Sequence, residues 1–199
     1  MRFARYEKYR KPEIDFIDKI PSHWTEKKFR FIFTLGRGLG ITKSDLVDNG
    51  IPCINYGEIH SKYGFEIVPE KQELKCVVEK YLEDSPAALL NNGDFVFADT
   101  SEDLEGAGNF AHLNSNIPTF AGYHTVIARP TGYDLSRFLA YFVDSSIYRS
   151  QIRKNVSGVK VFSITQNILK DSYLWLPPTE EQKKITDFLD YKTQHIDKL

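Results

Sequence analysis

The stretch Leu176-Pro177-Pro178-Thr179-Glu180-Glu181-Gln182 separates two kinds of secondary structure in this chain of 199 residues. The pair Pro177-Pro178 ends the strand predicted for Ser172–Leu176, because proline has no backbone N–H to donate to a sheet. Thr179 fits the cap position of a helix, and Gln182 lies three residues further on, as in a capping box. The sequence therefore predicts a helix that begins at about Thr179.

The predicted helix carries a heptad-like row of residues that runs to the end of the chain. The residues of the row alternate at spacings of four and three, with one polar interruption: Ile185, Leu189, Lys192, Ile196 and Leu199. We expect this helix to project as the start of a coiled coil and to bury Ile185, Leu189, Ile196 and Leu199 against another chain or a further helix. Because the row is still running at Leu199, we expect the chain to be a fragment or to pair with a second copy.

The residues before this helix predict a sheet. Seven short segments are rich in β-branched and aromatic residues and are predicted as strands, namely Phe29–Leu35, Pro52–Tyr56, Phe65–Val68, Leu74–Val78, Asp94–Ala98, Tyr123–Arg129 and Ser172–Leu176. One helix is predicted from Ser136 to about Lys154, and a short one from Ser163 or Thr165 to Leu169. The fold class expected is α/β (α+β), with a mixed, mostly antiparallel β-sheet. We expect a globular domain over residues 1–178 and the projecting helix over 179–199.

Composition sets the broad class of the protein. The chain is 41% hydrophobic and 14% aromatic, which excludes a disordered chain. It holds no apolar run long enough to cross a bilayer and no signal peptide, and its two Cys are too few for a disulfide framework. We expect a cytoplasmic protein that does not bind a membrane.

The net charge of −1 hides an uneven distribution. Residues 66–108 hold 11 acidic residues and three Lys, whereas residues 145–170 hold five basic residues and no acid. Basic patches attract phosphates locally, so the basic segment Arg149–Lys160 is expected to face a polyanion and the acidic middle to face away.

Motifs for catalysis are absent from the sequence. The five His are isolated, and no phosphate-binding loop, nucleophile elbow or metal-ligand spacing occurs. Asp99, Glu102 and Asp103 form one acidic cluster, and Glu73-Leu74-Lys75 has a spacing found in nucleases. We expect no catalytic residue, no metal and no cofactor in this chain.

Three stretches together resemble a known family. They are Ile20-Pro21-Ser22-His23-Trp24, then Leu90-Asn91-Asn92-Gly93-Asp94-Phe95-Val96-Phe97, and finally Leu176–Ile185. Their order and spacing are similar, across nearly the whole chain, to a target-recognition domain of type I restriction-modification specificity subunits. The last stretch is the most specific of the three.

The resemblance implies a non-catalytic subunit that directs methylation and cleavage by its partners. Such subunits carry two target-recognition domains, each reading half of a split DNA sequence, separated by two long antiparallel helices. The implied partners are double-stranded DNA, DNA methyltransferase (modification) subunits, a restriction subunit that cleaves with ATP, and a second half or second copy of the specificity subunit. S-adenosylmethionine, ATP and Mg²⁺ would belong to those partner subunits. This chain departs from the pattern because it holds one recognition domain and the first turns of one helix.

Candidate DNA contacts follow from residue type and position. Basic and polar side chains bind phosphates and base edges, and loops carry such contacts more often than the elements they connect. The candidates at strand ends and loops are Arg37, Tyr56, Ser101 and His124, and those of the basic segment are Arg149, Arg153, Lys154, Asn155, Ser157 and Lys160. Two alternatives stay open: a self-sufficient nuclease or methyltransferase using the Asp99 cluster, and a coiled-coil adaptor that binds proteins only.

Overall fold

The computed structural model describes residues 5–132, 136–158 and 160–196. The strands are β1 (Tyr9–Arg10), β2 (Ile20–Pro21), β3 (Thr25–Lys28), β4 (Phe33–Arg37), β5 (Ile51–Ile54), β6 (Glu66–Ile67), β7 (Cys76–Val77), β8 (Leu89–Leu90), β9 (Phe95–Ala98), β10 (Thr100–Ser101), β11 (Phe110–Leu113), β12 (Thr119–Ala121), β13 (Thr125–Pro130), β14 (Phe162–Ser163) and β15 (Tyr173–Leu176). The α-helices are α1 (Tyr56–Ser61), α2 (Tyr81–Asp84), α3 (Ser136–Asp144), α4 (Ser146–Asn155), α5 (Gln166–Asp171) and α6 (Thr179–Ile196).

Two sheets make up most of the strand content. The central sheet has five strands in the order β4-β13-β9-β11-β6, and all its neighbours are antiparallel except β11 and β6. The second sheet has the order β7-β5-β12-β8, in which only β5 and β12 are parallel. The pairs β1–β2, β10–β14 and β3–β15 are antiparallel. The predicted α/β fold with a mixed, mostly antiparallel sheet is confirmed.

Strand β9 shows how the layers pack. Phe95 and Phe97 belong to an apolar cluster that also includes residues of α3, α4 and α5, whereas Val96 and Ala98 belong to a second cluster with residues of α1 and the second sheet. All four side chains are fully buried. Both faces of the central sheet are therefore covered, which leaves the ends of its strands for a ligand.

The single helix predicted from Ser136 to about Lys154 is two helices. Ser145 lies between them in an extended conformation, and its side chain accepts a hydrogen bond from the backbone N–H of Tyr148. Ser145 is therefore the N-cap of α4, a role that serine fills well because its short side chain reaches the free N–H groups of the first turn. The spacing of five residues between Ile147 and Ile152 also departs from a single helical face.

Several strand boundaries differ from the prediction. Residues Phe29–Phe31 form a 3₁₀ turn, and β4 begins only at Phe33. Tyr56 opens α1 instead of ending a strand. Strands β11 and β12 were not predicted, because His112 interrupts the apolar run of the former and Phe120 is the one large apolar residue of the latter.

Helix α6 begins at Thr179, as predicted, but not through a capping box. The carbonyl oxygen of Pro178 accepts hydrogen bonds from the backbone N–H groups of Glu181 (2.9 Å) and Gln182 (3.0 Å), which makes Pro178 the N-cap. The side-chain amide of Gln182 is buried and donates to the carbonyl of Pro177 at 2.8 Å. From Tyr191 to Ile196 every residue of α6 is exposed. The division of the chain at residue 178 into a domain and a spacer helix stays a prediction.

Candidate functional site

Three strands of the central sheet present their ends side by side. The N–H of Gly38, just after β4, donates to the carbonyl of Thr125 at 3.2 Å, and the N–H of Asp99, just after β9, donates to the carbonyl of His124 at 3.0 Å. A Cβ atom on Gly38 would lie 2.0 Å from the carbonyl oxygen of Gly122. Only glycine fits this turn, and it carries the chain away from the sheet directly after Arg37.

A further segment reaches the same end of the sheet through β14. Thr100 pairs with Ser163, and the N–H of Ile164 donates to the carbonyl of Asp99 at 2.7 Å. An isolated antiparallel bridge joins Ser157 to Ser163 and so brings Ser157 to this end of the sheet. We call this region the loop end, and define it by Arg37, Tyr56, Asp99, Thr100, His124, Ser157, Lys160 and Ser163.

The loop end brings together candidates that are far apart in the sequence. Arg37 and His124 line one cleft with Asp99 and Thr100. The ring of Tyr56 lies edge-on to that of His124, with 5.3 Å between the centroids. Among the described residues, the exposed Arg37 side chain makes no hydrogen bond or ion pair. Its guanidinium is available to a phosphate or a base edge.

Ser101 is the least accessible of the predicted contact residues at strand ends and loops. The residue is only 4% exposed, and its hydroxyl donates to the carbonyl of Asp103 at 2.7 Å. This bond shapes the turn that follows β10. The contact of Ser101 with DNA stays a prediction, since the residue also lines a cleft with His60 and Asp103.

The basic segment is less free than its sequence indicates. Arg149 forms an ion pair with Asp144 (2.8 Å) and donates to the side-chain oxygen of Asn109 (2.6 Å). Arg153 forms an ion pair with Glu105 at 3.0 Å. The expectation that these arginines lack acidic neighbours is wrong, because the fold packs the acidic loop after β10 against α4. Both side chains are largely buried and hold that loop in place.

The remaining candidate DNA contacts of the basic segment are exposed. The ammonium of Lys154 lies 5.2 Å from the ring centroid of Phe16, and the amide of Asn155 donates to the carbonyl of Gln151 at 2.8 Å. Lys160 and Ser157 are exposed at the loop end. In the described part of the chain, two of the predicted cations lie at this end of the sheet and form no ion pair. They are Arg37 and Lys160.

The structure offers no support for the predicted acidic alternative. Across the described residues, no group of three or more His, Cys, Asp or Glu side chains is arranged to hold a metal ion. Lys75 of the nuclease-like triplet pairs with Asp48 instead of joining a carboxylate cluster. Burial, with a contribution from Glu58, raises the pKa of the Cys53 thiol to about 12, which disfavours a reactive thiolate.

Glu181 anchors the first turn of α6 to the N-terminal segment. Its carboxylate accepts hydrogen bonds from the hydroxyl of Tyr6 and from the ring N–H of Trp24 (3.2 Å), and it pairs with Nε2 of His23 (2.8 Å). Burial opposes ionisation of Glu181, but these donors outweigh it and hold its pKa below the ordinary value. Two of the motifs that carry the family resemblance therefore meet at one carboxylate.

A second polar contact holds α6 against α3. Arg137 Nε donates to Asp190 Oδ1 at 2.7 Å, and the hydroxyl of Tyr141 donates to the same oxygen at 2.6 Å. Between Glu181 and Asp190, Ile185 packs against the apolar cluster that includes Phe95, Phe97 and residues of α3, α4 and α5. The docked part of α6 thus ends near Asp190.

These contacts locate the four residues predicted for a subunit interface. Ile185 is in part covered by this chain, which corrects the expectation that it lacks a partner within the sequence. Leu189 is half-buried, and Ile196 is 67% exposed. Leu199 lies outside the described residues. An interface with another subunit stays a prediction, for which Ile196 is the most accessible described residue of the four.

Solved structures share this fold. The HsdS subunit from Thermoanaerobacter tengcongensis aligns with a TM-score of 0.62 at 17% identity, over 95% of this chain and 41% of that chain. A type I restriction-modification S subunit from M. genitalium aligns with a TM-score of 0.58 at 14% identity, over 88% of this chain and 40% of that chain. Part of each of these subunits therefore has the same fold as this chain.

Sequence comparison shows the family directly. Residues 21–198 match the family model described as type I restriction modification DNA specificity domain, and the chain belongs to this family. It is 25% identical over 184 residues to the type I restriction enzyme EcoKI specificity subunit of Escherichia coli, covering 90% of this chain and 38% of that subunit. It is 24% identical over 188 residues to the MjaVIII specificity subunit of Methanocaldococcus jannaschii, covering 92% and 42%. The chain spans about two fifths of the length of these relatives.

None of the helices in the described ranges combines the length and apolarity that crossing a bilayer requires.

Proposed function

We propose that this chain is a DNA-reading unit of a type I specificity subunit, which recognises one part of a split duplex sequence through the loop end. The observation that carries the proposal is that Arg37, Tyr56 and His124 lie together at one end of the central sheet, with Lys160 between the bridged residues Ser157 and Ser163, in a chain of this family. A rigid sheet supports these side chains, which suits base reading because direct readout depends on precise geometry.

The chemistry of the loop end supports a nucleic acid ligand. Arg37 and Lys160 offer positive charge for phosphates, while the imidazole of His124 and the hydroxyl of Ser157 suit hydrogen bonding to base edges. The acidic loop after β10 lines a second cleft with His60, and carboxylates such as these accept hydrogen bonds from cytosine. DNA contacts are thus proposed for Ser157, Lys160 and the edge of this loop.

The chain itself is proposed to be non-catalytic and to need no cofactor. In this proposal methylation with S-adenosylmethionine and cleavage with ATP and Mg²⁺ belong to the modification and restriction subunits. The exposed end of α6, from Tyr191 to Ile196, is proposed to contact the modification subunit and a second half or second copy of the specificity subunit. DNA in the cytoplasm is the expected target.

A selection experiment tests the proposal. The chain is purified in complex with its modification subunit, and random duplexes that bind the complex are enriched and sequenced. We expect one short motif that depends on the chain. Replacing Arg37 or Lys160 with Ala should weaken binding to all duplexes and make the dependence of log affinity on log salt shallower by about one unit each, because each variant loses one phosphate contact.

Lys71→Ala is the matched control. Lys71 is an exposed lysine in the turn after β6, and the pairing of β6 with β11 places this turn near the start of β9, at the opposite end of the central sheet. Its loss should leave affinity and salt dependence unchanged. A complex that enriches no motif, or whose binding does not vary with salt, would contradict the proposal and favour a protein-binding adaptor.

A further inference from the structure

His124 has an unusual backbone conformation for its residue type. Among the described residues it is the one non-glycine residue with a positive φ, at +53°. This left-handed conformation is costly for residues with a Cβ and costs glycine nothing. Strained residues cluster at functional sites, so an observed outlier of this kind justifies a search for the role of its side chain.

Burial of the His124 side chain does not account for its strained backbone. Its side chain is 58% exposed. The ring is nevertheless held from three sides: Tyr56 lies edge-on at 5.3 Å and Tyr123 at 6.1 Å, and Nδ1 lies 3.2 Å from Oδ1 of Asp99. The packed ring presents its remaining edge to solvent in the cleft that also holds Arg37. The strained backbone thus holds the imidazole of His124 in a fixed orientation at the surface of this cleft.

Asp99 gives this imidazole a chemical preference. Its Oδ1 is shielded from solvent and makes no hydrogen bond to the described residues, although Nδ1 of His124 is close, because the two groups are not aligned. A small rotation of the ring would satisfy the carboxylate with the Nδ1 proton, and Nε2 would then be a hydrogen-bond acceptor. The negative charge of Asp99 then adds to the lone pair on Nε2 of His124. This edge of the ring repels phosphates and the O6 and N7 acceptors of guanine, and it attracts hydrogen-bond donors.

We propose that His124 is a specificity-determining residue that accepts a hydrogen bond from the exocyclic amino group of an adenine or a cytosine, with Asp99 as its positioning residue. These amino groups are the base donors of the major groove. Arg37, in the same cleft, binds a neighbouring phosphate. The inference rests on the proposed function and names the chemical group that this part of the loop end reads.

The test compares enriched motifs among variants of the same complex with the modification subunit. His124→Gly removes the ring, and glycine adopts φ +53° without strain, so this variant should resist denaturant at least as well as the parent. It should lose the preference for adenine or cytosine at one position and keep the rest of the motif. Asp99→Asn should weaken the preference at that same position. Lys71→Ala, which removes an exposed side chain at the opposite end of the central sheet, should enrich the parental motif.

Base analogues then separate the two possible bases. Duplexes carry purine in place of adenine, or pyrimidin-2-one in place of cytosine, at the affected position, so that only the amino group is lost. The parent should bind the matching analogue about tenfold more weakly, as the loss of one hydrogen bond implies, and His124→Gly should bind both duplexes equally. A His124→Gly complex with the parental motif, or an analogue penalty equal in both proteins, overturns the inference. A parent that enriches no motif contradicts the proposed function itself.

Discussion

Replacing Glu181 with Ala should destabilise the chain by releasing its N-terminal segment from α6. The carboxylate of Glu181 is the common acceptor for Tyr6, His23 and Trp24, and its side chain is 22% exposed. Removing it leaves the half-buried indole N–H of Trp24 without its acceptor. The N-terminal segment would then be held by the short β1–β2 pairing and by the contacts of Arg10 and Glu13 with Glu26, none of which involves α6.

The magnitude follows from the number of hydrogen bonds and their exposure. A hydrogen bond to a charged group contributes about 1.5–3 kcal/mol, but bonds that share one acceptor are not additive and solvent weakens them. We therefore expect Glu181→Ala to lower the free energy of unfolding by about 2–3 kcal/mol. For a chain of this size this corresponds to a decrease in Tm of about 4–12 °C.

Urea unfolding followed by tryptophan fluorescence measures this effect. The two Trp of the chain report different places, because Trp24 touches Glu181 and Trp175 is buried in β15. Glu180→Ala is the control: it removes an exposed acid from the same first turn and so shares the helix-dipole effect of about 0.3–1 kcal/mol. If the two variants lose the same stability, the anchoring role of Glu181 is refuted.

The pH dependence provides a second check on Glu181. Its pKa is lower in the folded chain than in the unfolded chain, so the folded state favours the ionised form. Such a group stabilises the fold above its unfolded pKa, near 4.5, and this stabilisation is lost as the pH falls through the folded pKa. The stability difference between parent and Glu181→Ala should therefore shrink as the pH falls below about 4.5. A difference that stays constant down to acid unfolding would contradict this assignment.

Three further predictions concern the loop end and α6. Gly38→Ala should lower the free energy of unfolding, measured by chemical denaturation, by about 3 kcal/mol, because its Cβ would lie 2.0 Å from a carbonyl oxygen. Gly40→Ala, whose Cβ meets nothing within 4 Å, should lower it by less than about 0.5 kcal/mol. Arg149→Ala should lower the free energy of unfolding by about 1–2 kcal/mol, because this side chain is 19% exposed and donates to Asn109 at the end of the acidic loop. The loop after β10 should then become more sensitive to proteolysis. Ile196→Asp should leave Tm unchanged but weaken co-purification with the modification subunit; equal recovery of the subunit would argue against an interface at this residue.

The sequence alone predicted those features that depend on local patterns. The apolar run Phe95–Ala98 predicted a buried strand, and the structure confirms it because apolar side chains on both faces of a strand require two covering layers. The start of α6 at Thr179 followed from the preceding prolines, which end the strand whatever the rest of the fold does. The order of three short motifs predicted the family, since each motif is a continuous stretch that can be compared directly with relatives.

Features that depend on contacts between distant residues could not be predicted in this way. Arg153 has no acidic neighbour in the sequence, yet it pairs with Glu105, 48 residues away. Ser101 looked available in a loop, but the turn after β10 encloses its hydroxyl. Charge counts along the chain therefore overestimated the free positive charge of the basic segment, because ion pairs form across space.

The composition of the candidate site was decided by the tertiary structure. Arg37, Tyr56 and His124 were chosen separately for their positions at strand ends, and only strand order brings them to one end of the central sheet. The closeness of His124 to Asp99 follows from β13 lying next to β9. Glu181 meets Trp24 and Tyr6 because β15, which leads into α6, lies next to β3. Local sequence specifies which segments form strands and helices, while the packing of those elements specifies which side chains meet.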